Sequence, residues 1–278
     1  MATALSLTAV LLAFAWLAAE LWLRRAGFCD FPLFRREEPG VYRAVPSQRG
    51  RFLGRHEWSY DARGMRHAGE SDLAGVTLLV GDSVVDGGNR IGQAETLPAR
   101  LAAELGEPVS PVACRGWALA NELAALEAMP RWAEAKRLIL VVNSGDFETL
   151  GEMRDRFMFP TRRPLLALPW LAARQLGRKL TGGPEDRRLP DVHARNLETF
   201  RALAARFAGP ITLVRYPMKG EDAAANPRFA ELHAAAPGST LLDLADDPEW
   251  GDGCSLDHIH PSAKGLVVLA RFIGQKAA

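Results

Sequence analysis

The chain has 278 residues, with 34 lysines and arginines against 33 aspartates and glutamates, and 48% hydrophobic content. A net charge of +1 argues against a nucleic-acid partner, which calls for a markedly basic surface, and the hydrophobic content fits one globular domain plus an appendage. Three cysteines, Cys29, Cys114 and Cys254, odd in number and without metal-ligand spacing, give neither a disulfide framework nor a zinc site, and buried, inert thiols are expected.

Residues 1–25 read as a membrane anchor helix. From Ala2 to Leu23 only Thr3, Ser6, Thr8 and Glu20 interrupt an apolar run that contains Trp16 and Trp22. As a helix it reaches about 33 Å, enough for a hydrocarbon core. A cleaved signal peptide is the rival reading, but no basic segment precedes the run, and its small-x-small match, Ala13-Phe14-Ala15, lies inside the run. Arg24, Arg25, Arg35 and Arg36 follow the run and no Lys or Arg precedes it. By the positive-inside rule the large domain is then cytoplasmic.

Residues 26–73 read as a linker and irregular lead-in, rich in Arg, Pro and Gly with little apolar periodicity. Within it Trp58 to Arg66 reads as an edge hairpin covering a sheet. The main domain is expected over 74–278. It opens with Val76-Thr77-Leu78-Leu79-Val80, short, β-branched and uncharged, which predicts a strand buried on both faces of a parallel sheet. Gly81-Asp82-Ser83 follows, so Ser83 falls at the carboxyl rim where open α/β sheets carry their chemistry. The plain alternative is a strand-to-helix cap, since Asp82 and Ser83 can both cap a helix.

Further on, Glu95 to Gly106 predicts a helix with Leu97, Leu101 and Leu105 on one stripe, and a short strand follows around Pro111 to Cys114. Arg115-Gly116-Trp117-Ala118 opens a second helix through Asn121, Leu123, Leu126 and Met129. Lys136 to Val142 is the clearest strand, ending in Asn143-Ser144-Gly145-Asp146. Residues 152–190 read as an insertion, in which Arg154, Arg156, Arg162 and Arg163 precede an apolar segment, Leu165 to Ala172, and Arg174, Arg178 and Lys179 follow. The segment is too short to span a bilayer. It suits a lid, a helix on a membrane surface, or an insertion packed on the domain. Asp191 caps a helix whose Val192, Asn196, Phe200, Leu203 and Phe207 fall at helical spacing, with His193 expected on the surface. Ile211 to Val214 and Thr240 to Leu244 are two further strands; Tyr216 sits at a rim with its hydroxyl expected in water. The acids Asp246, Asp247 and Asp252 lack calcium-loop spacing and read as a solvated loop. Ala263 to Phe272 makes a closing helix.

Asp257-His258-Ile259-His260-Pro261 holds an acid and a histidine three apart, a spacing that can set a carboxylate beside one imidazole nitrogen and leave the other to face a nucleophile. A serine hydroxyl needs such a base, and the base works best with its tautomer fixed. Ser83, His260 and Asp257 fit the three roles; His258, between the acid and His260, is the competing base.

With Gly81-Asp82-Ser83 at one end and Asp257-x-x-His260-Pro261 at the other, the sequence resembles the SGNH (GDSL-type) hydrolases, over about Trp58 to the carboxyl end. The resemblance implies a three-layer, flavodoxin-like α/β fold with a mostly parallel five-stranded sheet, here preceded by a transmembrane helix. It also implies ester hydrolysis through an acyl-enzyme on Ser83, with no metal or organic cofactor. Gly116 matches the glycine whose amide lines the oxyanion hole with that of Ser83. The family's Gly-x-Asn-Asp block is altered: if Asp146 aligns with the final acid, Gly145 stands at the asparagine position and the nearest amide belongs to Asn143. Similarity to anchored members that act on cell-surface glycans implies an extracytoplasmic domain, which is adopted against the charge rule. The expected substrate is an O-acyl, in particular acetyl, ester on carbohydrate or lipid. An O-acyltransferase with the same triad and an inactive carbohydrate-binding or assembly module remain the alternatives.

Overall fold

A computed structural model of the chain describes residues 2–37, 41–69, 72–181 and 190–277. Residues 38–40 and 70–71 of the lead-in, and 182–189 of the segment read as an insertion, lie outside the described residues. The amino-terminal run forms helix α1 (Ala2–Arg25). Its Ser6–Arg25 stretch, of mean hydropathy 1.8, is long and apolar enough to cross a membrane.

The lead-in differs from expectation. It forms two antiparallel pairs, β1 (Phe34–Glu37) with β2 (Val41–Ala44), and β3 (Gln48–Phe52) with β4 (His56–Tyr60). Phe34, Tyr42, Ala44, Phe52, Trp58 and Tyr60 are all buried in one core with the main domain. Four- and five-residue strands hold only two or three inward positions each, and the arginines between them mask the alternation.

Five parallel strands make the central sheet: β5 (Thr77–Gly81), β6 (Val109–Ala113), β7 (Arg137–Val142), β8 (Ile211–Arg215) and β9 (Thr240–Asp243), in the order β6-β5-β7-β8-β9. Counted within the sheet this is 2-1-3-4-5, the flavodoxin-like order, whose direction of winding reverses between β5 and β7. The remaining helices are α2 (Ser83–Asp86), α3 (Leu97–Leu105), α4 (Leu119–Glu127), α5 (Ala167–Thr181), α6 (Pro190–Arg206), α7 (Arg228–Ala235) and α8 (Ala263–Lys276).

Strand residues alternate between two cores. Leu78, Val80, Leu138, Leu140 and Leu213 pack with α4, α6, α7 and the lead-in strands. Leu79, Ile139, Val141 and Val214 pack with α2, α3 and α8 on the other face. The three layers follow, because both faces of every central strand are apolar. Each such side chain, fully buried, contributes about 1.5–3 kcal/mol.

Three element boundaries shift for local reasons. The first long helix starts at Leu97 rather than Glu95, because Gln93–Glu95 is a separate 3-10 turn and Thr96 is still extended. The strand expected from Pro111 starts at Val109; β6 is an edge strand, where proline's missing N–H leaves no ladder bond broken. The next helix starts at Leu119 rather than Arg115, since Gly116 has a φ of +71° that no helix allows.

Candidate active site

Ser83 leaves the sheet two residues after β5, at the point where the winding reverses. Asp82, not Ser83, caps the short helix: its Oδ1 accepts from Val84 N at 2.8 Å. A Cβ at Gly81 would come within 2.6 Å of Val85 Cγ2, so the glycine lets α2 fold tightly onto the strand end and holds Ser83 at the rim.

The carboxy-terminal loop meets it there. Asp257 Oδ1 accepts from the backbone amides of Ile259 (2.9 Å) and His260 (2.8 Å), winding the segment into a turn stabilised by its own side chain. That turn aims the carboxylate at the ring of His260, whose Nδ1 lies 2.8 Å from Asp257 Oδ2. The other nitrogen, Nε2, is 3.1 Å from Ser83 Oγ. Burial raises the Asp257 pKa, but the two amides and the imidazole outweigh it and hold the carboxyl at about 2. Asp257 is therefore ionised and Nδ1 is best occupied by a proton, which leaves Nε2 as acceptor for the serine hydroxyl. The two histidines are thus separated: His260 lies against Ser83, whereas the side chain of His258 is exposed and its carbonyl accepts from Lys219 N at 2.8 Å.

Register brings the other predicted residues to the same rim. Gly81 pairs with Ala113, so Gly116 leaves the neighbouring strand three residues beyond that pair. A Cβ at Gly116 would lie 3.0 Å from both Phe159 Cζ and Tyr42 Oη, on a backbone that disfavours side chains in any case. Asn121 fixes the turn: its Oδ1 accepts from Ala118 N (3.1 Å) and Gly151 N (2.8 Å), and its Nδ2 donates to Gly151 O (3.1 Å). Asn143 is buried just past β7, with Nδ2 3.4 Å from Asp82 Oδ2 and Oδ1 accepting from Gly145 N at 2.9 Å. Its backbone N–H donates to Asp146 Oδ2 at 2.8 Å. The loop therefore folds Asn143 back beside the residue preceding Ser83.

Several site-shaping residues carry no local signature. Asp82 is buried, which pushes its pKa up, and its Oδ2 stands 3.5 Å from Ser83 Oγ. Behind it Glu122 is fully buried with neither carboxyl oxygen hydrogen-bonded; burial first, then the charges of Asp146 and Asp82, raise its pKa far above the usual range. Asp86, Tyr60, Arg115 and Arg66 form a second buried polar group under α2. Two expectations are corrected. His193 is buried, with Nε2 2.6 Å from Glu231 Oε2 and its ring edge-on to Phe147. Tyr216 is buried too, its hydroxyl donating to Ile259 O at 2.6 Å, so it braces the His260 loop instead of facing water. Asp247, in the acidic loop, is also buried and pairs with Arg271 at 3.3 Å.

Beside the His260 loop opens a groove of about 450 Å³, lined by Pro217, Lys219, Glu221, Trp250 and Asp252 among others. Among the described residues no group of His, Cys, Asp and Glu is arranged to hold a metal ion.

No protein-family model matches the sequence, and no curated protein matches it. Among solved structures the chain is similar to LAE5, an alpha/beta hydrolase enzyme from the metagenome of Lake Arreo, Spain, at 17% identity and a TM-score of 0.45, covering 73% of this chain and 95% of that one. It is also similar to a Corynascus thermopiles carbohydrate esterase family 2 enzyme with its carbohydrate-binding domain, at 14% identity and a TM-score of 0.42, covering 76% and 68%. A lipase/acylhydrolase from Enterococcus faecalis matches at 13% identity and a TM-score of 0.41, covering 73% and 94%. At these scores none of them bears on what this chain does.

Proposed function

We propose that the chain is a membrane-anchored serine ester hydrolase of the SGNH type, with Ser83, His260 and Asp257 as its triad. One observation carries this reading: the unbroken relay from Ser83 Oγ through the two nitrogens of His260 to Asp257. Ser83 Oγ attacks the ester carbonyl carbon as its proton passes to His260 Nε2, and the carbonyl oxygen becomes an oxyanion. Collapse expels the alcohol, which takes the proton back from His260 and leaves an acyl group on Ser83. A water molecule then attacks the acyl carbon as its proton passes to the same nitrogen, the bond to Ser83 Oγ breaks, and His260 returns the proton to Ser83 as the acid leaves. Asp257 holds the ring and offsets its transient charge.

The oxyanion is assigned to the amides of Ser83 and Gly116. Ser83 opens α2, so its N–H has no acceptor within that helix. Asn143 commits one N–H toward Asp82, and its second is the third donor. Each such donor is worth about 3 kcal/mol at the transition state.

For the substrate we favour short O-acyl esters, acetyl first, carried on a carbohydrate. His260 and Asp257 are 44% and 50% exposed, an open rim suited to a bulky carrier. The adjoining groove offers an indole, that of Trp250, among polar groups, a surface that suits a sugar ring. We place the domain on the outer side of the membrane, and protease shaving of intact cells decides the side.

The test is turnover of p-nitrophenyl acetate. Ser83→Ala and His260→Ala should each lose about 10³-fold or more with unchanged circular dichroism, while His258→Ala keeps full activity. Equal turnover by Ser83→Ala would remove the proposal.

A further inference from the structure

Helix α5 carries an apolar stripe that the protein leaves uncovered. Leu165, 93% exposed, stands just ahead of the helix, and Pro169, Ala172 and Leu176 follow it at steps of four, three and four residues, all exposed. Leu166 beside them is 48% exposed. The opposite side is covered: Ala167 is buried, and Trp170 stacks on Phe31 with centroids 4.9 Å apart. An outward stripe of this kind, with the exposed Arg162 just ahead of it, calls for an occupant; Arg163 and Arg174 belong to the covered side, where Arg163 donates to Cys29 O at 2.8 Å and Arg174 lies over the Trp170 ring.

Its position relative to α1 identifies one. Glu20, the only acid in α1, is buried against the start of α5 and accepts from Ala167 N at 2.7 Å and Leu168 N at 3.0 Å. Arg24 bonds Glu20 at 2.7 Å and also donates to the carbonyls of Pro164 and Leu165. A carboxylate in an apolar helix is thereby neutralised by the first turn of another helix and by its own arginine. Arg24 and Arg25 mark the polar end of α1, and Glu20 lies five residues before Arg25, about 7.5 Å further along the axis. The α5 N-terminus, tied to Glu20 and through Pro164 and Leu165 to Arg24, therefore lies between the level of the arginines and about 7.5 Å below them. Interfacial helices sink their apolar face by about 5–10 Å into the boundary between headgroups and acyl chains.

We propose that the Leu165–Leu176 stripe of α5 docks into the bilayer leaflet at the carboxyl end of α1, with Arg25 and Arg162 at headgroup level, so that the domain is held against the membrane at two points. This rests on the anchor reading of α1 and not on the esterase reading.

The test uses the full chain in vesicles of phosphatidylcholine and phosphatidylglycerol. An environment-sensitive fluorophore is attached at Leu165→Cys, at Leu176→Cys or, as control, at the exposed Ala103→Cys, each in a Cys29→Ser background. Both leucine positions should emit to the blue of the control and lose most of their emission when lipids spin-labelled near the headgroup are added. Release of the protein by alkaline carbonate overturns the anchor and the docking with it. Retention with water-like emission at both leucines overturns the docking alone. Blue emission that lipid quenchers leave untouched also overturns it, and assigns the stripe to a protein neighbour.

Discussion

Arg115 Nη2 lies 3.1 Å from Asp86 Oδ2, joining the loop after β6 to the helix that starts with Ser83, and the two side chains are 9% and 0% exposed. Tyr60 from the lead-in completes the group, donating to Asp86 Oδ1 at 2.8 Å and accepting from Arg115 at 3.1 Å. Burial works against the charge on Arg115, but Asp86 and Tyr60 beside it more than offset that. The pair ties the residue before Gly116 to the last residue of the helix that Ser83 opens. Removing one partner leaves the other charged and dry, so Arg115→Met should lose about 3–5 kcal/mol in chemical unfolding of the detergent-solubilised chain. The double variant Asp86→Leu/Arg115→Met should recover part of that. Equal stability of Arg115→Met and wild type would deny the pair its structural role.

Asp257 predicts a dependence at acid pH. Its carboxyl is held at about 2, below its ordinary 3.8, so the folded chain binds this proton less readily than the unfolded chain. The stabilisation it gives is complete above pH 3.8 and fades as pH falls through about 2. Asp257→Asn should therefore melt below wild type near neutrality, with the gap closing in acid. Its esterase turnover should fall by about 10⁴-fold, because an amide can present Nδ1 with the wrong partner and fix the wrong tautomer. A constant gap in melting temperature down to pH 2 would contradict the assignment.

Glu122 has the opposite sign. Its pKa in the folded chain is raised from an ordinary 4.5, so folding favours the neutral acid, and the stability it permits is present below pH 4.5 and lost as pH rises toward its folded value. Glutamine is its neutral isostere. Glu122→Gln should match wild type near pH 4.5 and become progressively more stable than it as pH rises, read as melting temperature against pH. The same profile for both chains would mean that Glu122 ionises freely.

What could be read in the sequence follows from how local each feature is. Strand β5, the Ser83 turn and the Asp257–His260 turn are contiguous segments, and the apolar runs of β7 and β8 declare strands buried on both sides. The groups that hold them in place are scattered. Tyr60 and Asp86 are 26 residues apart, and Asp86 and Arg115 29, so no window contains the network. His193 looks like a surface residue in a first helical turn because its partner, Glu231, arrives from α7, 38 residues later. Tyr216 is misread for the same reason, since Ile259 lies 43 residues on. The sequence Asn143-Ser144-Gly145-Asp146 shows an amide after β7, but only the fold of the loop brings its Nδ2 within 3.4 Å of Asp82 Oδ2.

Gly265 offers a test of how rigidly the histidine loop must be held. It sits in the first turn of α8, where its N–H donates to Ser262 Oγ at 3.1 Å. A Cβ there would come within 2.0 Å of the Cys254 carbonyl oxygen, which also accepts from Ser262 N at 2.7 Å. The obstacle is backbone at the root of the 255–261 loop, so a methyl group can fit only by moving α8 or the loop that carries Asp257 and His260. Gly265→Ala should lose about 1–3 kcal/mol of stability from overpacking. Because a displacement of about 1 Å at reacting groups costs on the order of 10²-fold, its kcat should fall by about that factor with KM little changed. Val267→Ala, at a 43% exposed position of the same helix, should leave both constants as they are. If Gly265→Ala is as unstable as expected yet keeps full kcat, the loop reaches Ser83 independently of α8, and the 3.1 Å contact between Ser83 Oγ and His260 Nε2 is set by the turn of Asp257 alone.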